Sequence, residues 1–233
     1  RWRDTETLFG HAVALAPNGA VVHNCLGIAL GKQSRIEEAT ERFIEATRLN
    51  PGYVEAHCNL GNAYMLKGQH DKATQSYEEA LRHDPHHPAA HYNLGLLLAR
   101  DGQSDGAIRR YREAIRARPH YTDAHYRLGV ELMRKRDFAN AEVHLHEAIT
   151  LNPGLGMAYG FLGTAQAAQG DLDGAIRTYR QGLRIFPSDP DLHCALGESY
   201  ASKGLTADAR REWTETLRLN PNHRQAARYL AGE

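Results

Sequence analysis

The chain has 233 residues, of which 42% are hydrophobic and 24% charged, the balance of a folded protein and not of a disordered one. Its 28 basic and 28 acidic side chains cancel, which removes the electrostatic case for nucleic acid or an anionic membrane as the main partner. No stretch reaches the ~18 apolar residues of a membrane span, and Arg1-Trp2-Arg3-Asp4 opens the chain without an apolar leader.

Taken in chain order, residues 3–16 read as one lone helix ahead of Pro17, with Phe9 and Ala12 in a register that recurs downstream. From there a single pattern repeats. Leu26-Gly27 is followed by Ala39, Phe43 and Pro51, and Leu60-Gly61 by Ala73, Tyr77 and Pro85. Leu94-Gly95 leads to Ala107, Tyr111 and Pro119, and Leu128-Gly129 to Ala141, Leu145 and Pro153. Leu162-Gly163 then leads to Ala175, Tyr179 and Pro187, and Leu196-Gly197 to Ala209, Trp213 and Pro221. Each step is 34 residues, which sets six repeats at 20–53, 54–87, 88–121, 122–155, 156–189 and 190–223. Residues 224–233 read as a terminal helix with Leu230 in register, so the expectation is 1 + 12 + 1 = 14 helices in one domain over 1–233.

Each repeat reads as two amphipathic helices around a short turn. Gly68, Gly102, Gly170 and Gly204 stand where the first helix stops, since glycine tolerates the left-handed conformation of a helix C-cap. The proline closes the second helix, because it cannot extend a helical hydrogen-bond ladder. Small residues such as Gly27 and Ala39 let paired helices approach, and the large residue (Phe43 and its equivalents) is expected to fill the space between repeats. A single repeat cannot bury its apolar face alone, so stacking supplies the core.

The 34-residue period with these Leu-Gly, Ala, aromatic and Pro registers resembles the tetratricopeptide repeat over essentially the whole chain. The resemblance implies an all-α, right-handed superhelical solenoid. It also implies a groove lined by first helices that receives a peptide or a helical segment. Carried over by position, the groove residues of the middle repeats are Asn59, Asn62, Met65, Tyr92, Asn93, Arg100, Tyr126, Arg127, Met133 and Arg134. Carboxamide and guanidinium groups there suit a peptide backbone or carboxylate, and tyrosines add flat apolar area.

The departures from the family pattern matter as well. The family's Trp or Tyr four residues before the glycine is His23, His57, His91, His125 and His193 here, with only Tyr159 aromatic in the family sense. Gly182 and Thr216 replace the alanine of Ala46, Ala80, Ala114 and Ala148, so different packing is expected in the last two repeats. Of the two-carboxylate clamp of chaperone-tail-binding members, Asn62, Asn93 and Arg127 match, but Cys58 and Asp123 stand where lysines belong. Of the asparagine ladder of glycosyltransferase members, Asn59 and Asn93 match, whereas Cys25, Arg127, Phe161 and Ala195 do not.

Elsewhere the chemistry is sparse. Cys25, Cys58 and Cys194 are an odd set without CxxC spacing, which argues against disulfides and zinc. The five in-register histidines sit on different repeats, too far apart for one ion, and His83, His86, His87 and His91 read as a solvated linker. Gly154-Leu155-Gly156 reads as a turn, and Arg109, Arg110, Arg112, Arg116 and Arg118 as a solvated face. No catalytic residue, metal site or cofactor is expected.

The reading is a non-catalytic protein–protein interaction scaffold with a protein or peptide ligand. Two alternatives stand beside it. The half-repeats at the two ends suit head-to-tail stacking into a homo-oligomer or filament. Trp2-Arg3-Asp4 with Thr7-Leu8-Phe9 resembles the junction that follows the membrane region of bacterial polytopic glycosyltransferase-like proteins, which implies a substrate-recruiting tail. A cytoplasmic location is favoured, or a soluble domain of such a membrane protein.

Overall fold

The computed structural model describes residues 18–232, which hold 13 α-helices and no strand. They follow as α1 (Ala20–Lys32), α2 (Ile36–Leu49), α3 (Val54–Leu66), α4 (His70–His83), α5 (Pro88–Arg100) and α6 (Ser104–Ala117). The chain continues with α7 (Thr122–Arg134), α8 (Phe138–Leu151), α9 (Gly156–Ala168), α10 (Leu172–Ile185), α11 (Pro190–Ser202), α12 (Thr206–Leu219) and α13 (Arg224–Ala231). The lone helix expected over 3–16, and the Trp2 to Phe9 motif, lie outside the described residues. Among the described residues no helix is long and apolar enough to cross a membrane.

Consecutive helices form hairpins, and the turn inside each hairpin has one design. The backbone turns left-handed two residues past the first helix, at Gly68 (φ +69°), Gly102 (φ +75°), Gly170 (φ +86°) and Gly204 (φ +76°). The next amide then reaches back to the last helical turn, as Gln69 N–H does to Tyr64 O at 2.9 Å and Gln103 N–H to Leu98 O at 2.8 Å. The two remaining hairpins make the same bond without glycine. Ser34 (φ 62°) and Arg136 (φ 59°) hold the left-handed position, with Arg35 N–H to Leu30 O at 3.1 Å and Asp137 N–H to Leu132 O at 2.9 Å. A side chain there costs about 1–2 kcal/mol.

The Leu-Gly glycine is required by contact. A Cβ on Gly61 would lie 2.5 Å from Tyr77 Cε1, one on Gly163 2.4 Å from Tyr179 Cε1, and one on Gly197 2.5 Å from Trp213 Nε1. The large residue therefore lies flat on the glycine of its own hairpin. Filling the space between repeats is half of its role: Tyr77 also packs with Ala90, Leu94 and Leu97 of the following hairpin.

The described residues fall into two compact units that part between Pro119 and His120. The first holds α1–α6, with a core of Leu26, Leu30, Phe43 and Leu60 and a second one around Tyr77 and Leu94. The second holds α7–α13, with Leu128, Leu145, Tyr159, Tyr179, Leu192 and Trp213 buried. Its two departures from alanine have different causes. A Cβ on Gly182 would meet Tyr159 Cβ at 2.9 Å and Leu192 Cδ1 at 3.0 Å, so α9 and α11 close in where the side chain is missing. Thr216 is fully buried, and its hydroxyl donates to Glu212 O at 3.0 Å.

Candidate functional site

Three of the five register histidines make one and the same interaction, and His125 Nδ1 lies 3.1 Å from His144 Nδ1. His57 Nε2 lies 2.8 Å from Pro51 O, His91 Nε2 2.9 Å from Pro85 O and His193 Nε2 3.1 Å from Pro187 O. Tyr159 does the same with its hydroxyl, donating to Pro153 O at 3.3 Å. A carbonyl only accepts, so each of these rings carries its proton on Nε2. At these four positions the ring ties the start of one repeat to the proline that closed the previous one.

The second nitrogen sets the charge. Burial pushes His91 below the usual imidazole value, and its Nδ1 is buried without a partner. His193 Nδ1 meets Glu212 Oε2 at 2.7 Å, and that bond raises its pKa. His87 and His91 are not part of a solvated linker. His87 Nδ1 caps α5 by accepting the Ala90 amide at 3.2 Å, His91 is buried, and only His83 and His86 are exposed. Burial also pushes the Cys58 and Cys194 thiols up to about 12, so neither is a nucleophile at neutral pH. Among the described residues no group of three or more His, Cys, Asp or Glu is placed to hold a metal ion.

In the first compact unit, the carried-over asparagines bond to asparagines of neighbouring first helices. Asn59 donates to Asn24 Oδ1 at 2.9 Å, and Asn24 donates to Tyr53 Oη at 3.3 Å. Asn93 donates to Asn62 Oδ1 at 2.8 Å, the oxygen that also accepts from Tyr77 Oη at 2.7 Å. These bonds link α1 to α3 and α3 to α5. Met65 packs against the Tyr77 core, Tyr92 tilts over Tyr111 with ring centres 5.9 Å apart, and Arg100 pairs with Asp101 at 2.8 Å.

In the second unit, Tyr126 and Arg127 come together, with the guanidinium 5.7 Å from the ring centre. Tyr126 reaches the next first helix: its hydroxyl lies 3.9 Å from Met157 Sδ and its ring 6.2 Å from that of Phe161. Arg134 turns away to Glu131 at 2.8 Å, a carboxylate whose other oxygen is buried without a partner, and Met133 is half-buried.

Between α9 and α11 lies a cleft of about 270 Å³ that the carried-over positions do not include. Met157, Gly160, Phe161 and Thr164 line it from α9, and Asp189, Asp191, Leu192 and Ala195 from α11. Met157 is 69% exposed, a large apolar side chain left in water. Gly160 stands where other repeats place tyrosine, cysteine or asparagine, and a Cβ on it would sit 3.8 Å from Leu192 Cδ2. The missing side chain is what opens the cleft. Phe161 and Ala195, which fail as rungs of a carboxamide ladder, are the sequence signal of apolar walls at this level. Two broader hollows, of about 640 and 610 Å³, are lined mainly by polar and charged side chains such as Lys72, Glu79, Arg210 and Glu212.

A family model described as the cilia and flagella-associated protein 70 C-terminal domain matches residues 51–232, and one described as TPR repeat matches residues 32–68. The chain belongs to the tetratricopeptide-repeat (TPR) family. Among solved TPR-like structures, YrrB, described as a TPR protein with an unusual peptide-binding site, has a TM-score of 0.77 at 24% identity, covering 82% of this chain and 98% of its own. PilF of Pseudomonas aeruginosa has a TM-score of 0.75 at 16% identity, covering 92% of this chain and 97% of its own. A chain of the APC/C hetero-tetramer Cut9–Hcn1 has a TM-score of 0.67 at 23% identity. It covers 97% of this chain, which spans only 44% of that one. A search of curated protein sequences returns no match. At these identities the structures show a shared fold. A TPR fold is in general a protein-interaction scaffold, generally without catalysis of its own, and its partners are proteins or peptides.

Proposed function

We propose that this TPR chain is a non-catalytic scaffold that binds a peptide or helical segment along its first helices, with an apolar side chain of the ligand in the cleft between α9 and α11. One observation carries the reading: Met157, 69% exposed, stands beside Phe161 and Leu192 at a cleft sized for a side chain. Tyr126 and Arg127 extend the same face and offer a ring and a guanidinium to the ligand backbone. Burying ~100 Å² of apolar surface there contributes about 2.5 kcal/mol. That is enough to anchor a segment but too little to hold it alone against the entropy of association.

The asparagines of the first unit are a weaker support, because Asn59, Asn62 and Asn93 already bond within the protein. The test is a random-peptide phage selection on the full chain, followed by affinity measurements on the selected peptides. Met157→Asp is expected to weaken them at least ~10-fold, about 1.4 kcal/mol. Val143→Asp, at an exposed site on α8, should leave them unchanged. Equal affinities for Met157→Asp and wild type would refute the assignment of this face.

A further inference from the structure

The cleft is asymmetric in a way that specifies what enters it. Its volume, about 270 Å³, is that of a site for one side chain. Its walls offer little hydrogen bonding: the Thr164 hydroxyl already donates to Gly160 O at 2.8 Å and lies 3.2 Å from Tyr179 Oη. Charge enters from the α11 end alone, as two carboxylates, Asp189 and Asp191, with no lysine or arginine in the lining.

The two acids differ in availability. Asp189 is the cap of α11, its Oδ1 accepting the amides of Asp191 at 3.0 Å and Leu192 at 3.1 Å. The positive end of that helix is thereby occupied, which leaves no seat for a ligand carboxylate. Asp191 has its side chain 89% exposed and meets His223 Nε2 at 3.2 Å. His223 Nδ1 accepts the Ala226 amide at 3.3 Å, so the proton of a neutral ring sits on Nε2. That ring donates to one Asp191 oxygen and leaves the rest of the carboxylate facing solvent. The rim therefore presents an exposed carboxylate beside an apolar slot.

Resting on the reading that this face takes a peptide, we infer that the cleft selects a bulky apolar side chain followed closely by a lysine or arginine, the apolar group in the slot opened by Gly160 and the cation on Asp191. An acidic neighbour is rejected by the same carboxylate, since like charges across an interface disfavour the complex. The recognition is thus the reverse of a carboxylate clamp.

The same phage selection tests this when run on the full-length wild type, Asp191→Asn and Gly160→Leu, with folding of each verified by circular dichroism. Wild-type selections are expected to be enriched in apolar–basic pairs. Synthetic peptides carrying Lys at the basic position should bind about tenfold more tightly than their Glu counterparts at low salt, and the gap should narrow as ionic strength rises. Asp191→Asn should erase that preference while keeping the apolar one, and Gly160→Leu should remove both by filling the slot. If Lys and Glu peptides bind alike, or Asp191→Asn keeps the preference, the inference is overturned. The peptide-binding face then still stands provided Met157→Asp abolishes binding. If no peptide is selected at all, the inference and the reading beneath it fail together.

Discussion

Two glycines of α9, one turn apart, predict opposite outcomes for the same substitution. Alanine for glycine inside a helix contributes about 1 kcal/mol through backbone entropy, and this gain is common to Gly160 and Gly163. At Gly160 the new Cβ meets nothing nearer than Leu192 Cδ2 at 3.8 Å, an ordinary contact, so the gain survives. At Gly163 it would fall 2.4 Å from Tyr179 Cε1 and 2.5 Å from Cζ. The ring has little room to move, being 2% exposed with its hydroxyl 3.2 Å from Thr164 Oγ1. Overpacking of this kind costs about 1–3 kcal/mol and outweighs the helical gain over most of that range. For a chain of this length 1 kcal/mol moves Tm by about 2–4 °C. Thermal unfolding followed by circular dichroism should show Gly160→Ala melting a few degrees above wild type and Gly163→Ala below it. Two shifts of the same sign would refute the claim that Tyr179 rests on the backbone at Gly163.

Replacing the non-glycine turn residues should stabilise the chain. Arg136→Gly relieves the left-handed strain at φ 59° at some cost in unfolded-state entropy, a net gain of about 0.5–1 kcal/mol, whereas Gly102→Ala should lose about that much. Denaturant melts that order these two variants the other way would reject the turn assignment. The histidine register should show two opposite pH dependences. Glu212 raises the folded-state pKa of His193 above the ordinary 6.5, so its stabilisation is complete below that value and is lost as pH rises through the raised one. The Tm gap between wild type and Glu212→Gln should be wider at about pH 6 than at about pH 9. Burial lowers the pKa of His91, so its contribution is present above the ordinary value and is lost as pH falls through the lowered one. His91→Tyr, which borrows the Tyr159 solution, should therefore gain on wild type as the solution is acidified; a constant difference from about pH 8 to 5 argues against that origin.

Most of the fold was legible in the sequence because its determinants are periodic and local. Leu-Gly marks where an aromatic ring lies on the backbone, glycine marks the left-handed turn, and proline closes the second helix. Ser34 and Arg136 escaped because neither residue type advertises a positive φ, and only the geometry of their repeats shows it. The site was legible in smaller part. Position alone finds Tyr126 and Arg127, which do share a surface. It does not find the cleft, which depends on the missing side chain at Gly160 and on residues from the start of α11. Nor does it find the histidine bonds, although Tyr159 can stand among histidines in that register because both side chains carry a donor at the ring tip that reaches the equivalent proline carbonyl.

The paired asparagines have a consequence for recognition. Asn59 with Asn24, and Asn93 with Asn62, are each joined by one hydrogen bond across successive first helices. A ligand that draws on the bonded Nδ2–H of Asn59 or Asn93, or on the Asn62 oxygen that already accepts two bonds, competes with an existing bond, so such a contact is an exchange with little net enthalpy. A ligand N–H directed at the Asn59 or Asn93 oxygen meets no such competition, so on the proposed reading these two side chains would serve a peptide as acceptors better than as donors. The pairing thus fixes the polarity that such a ligand would meet there, with the bonded amides turned inward to the neighbouring helix.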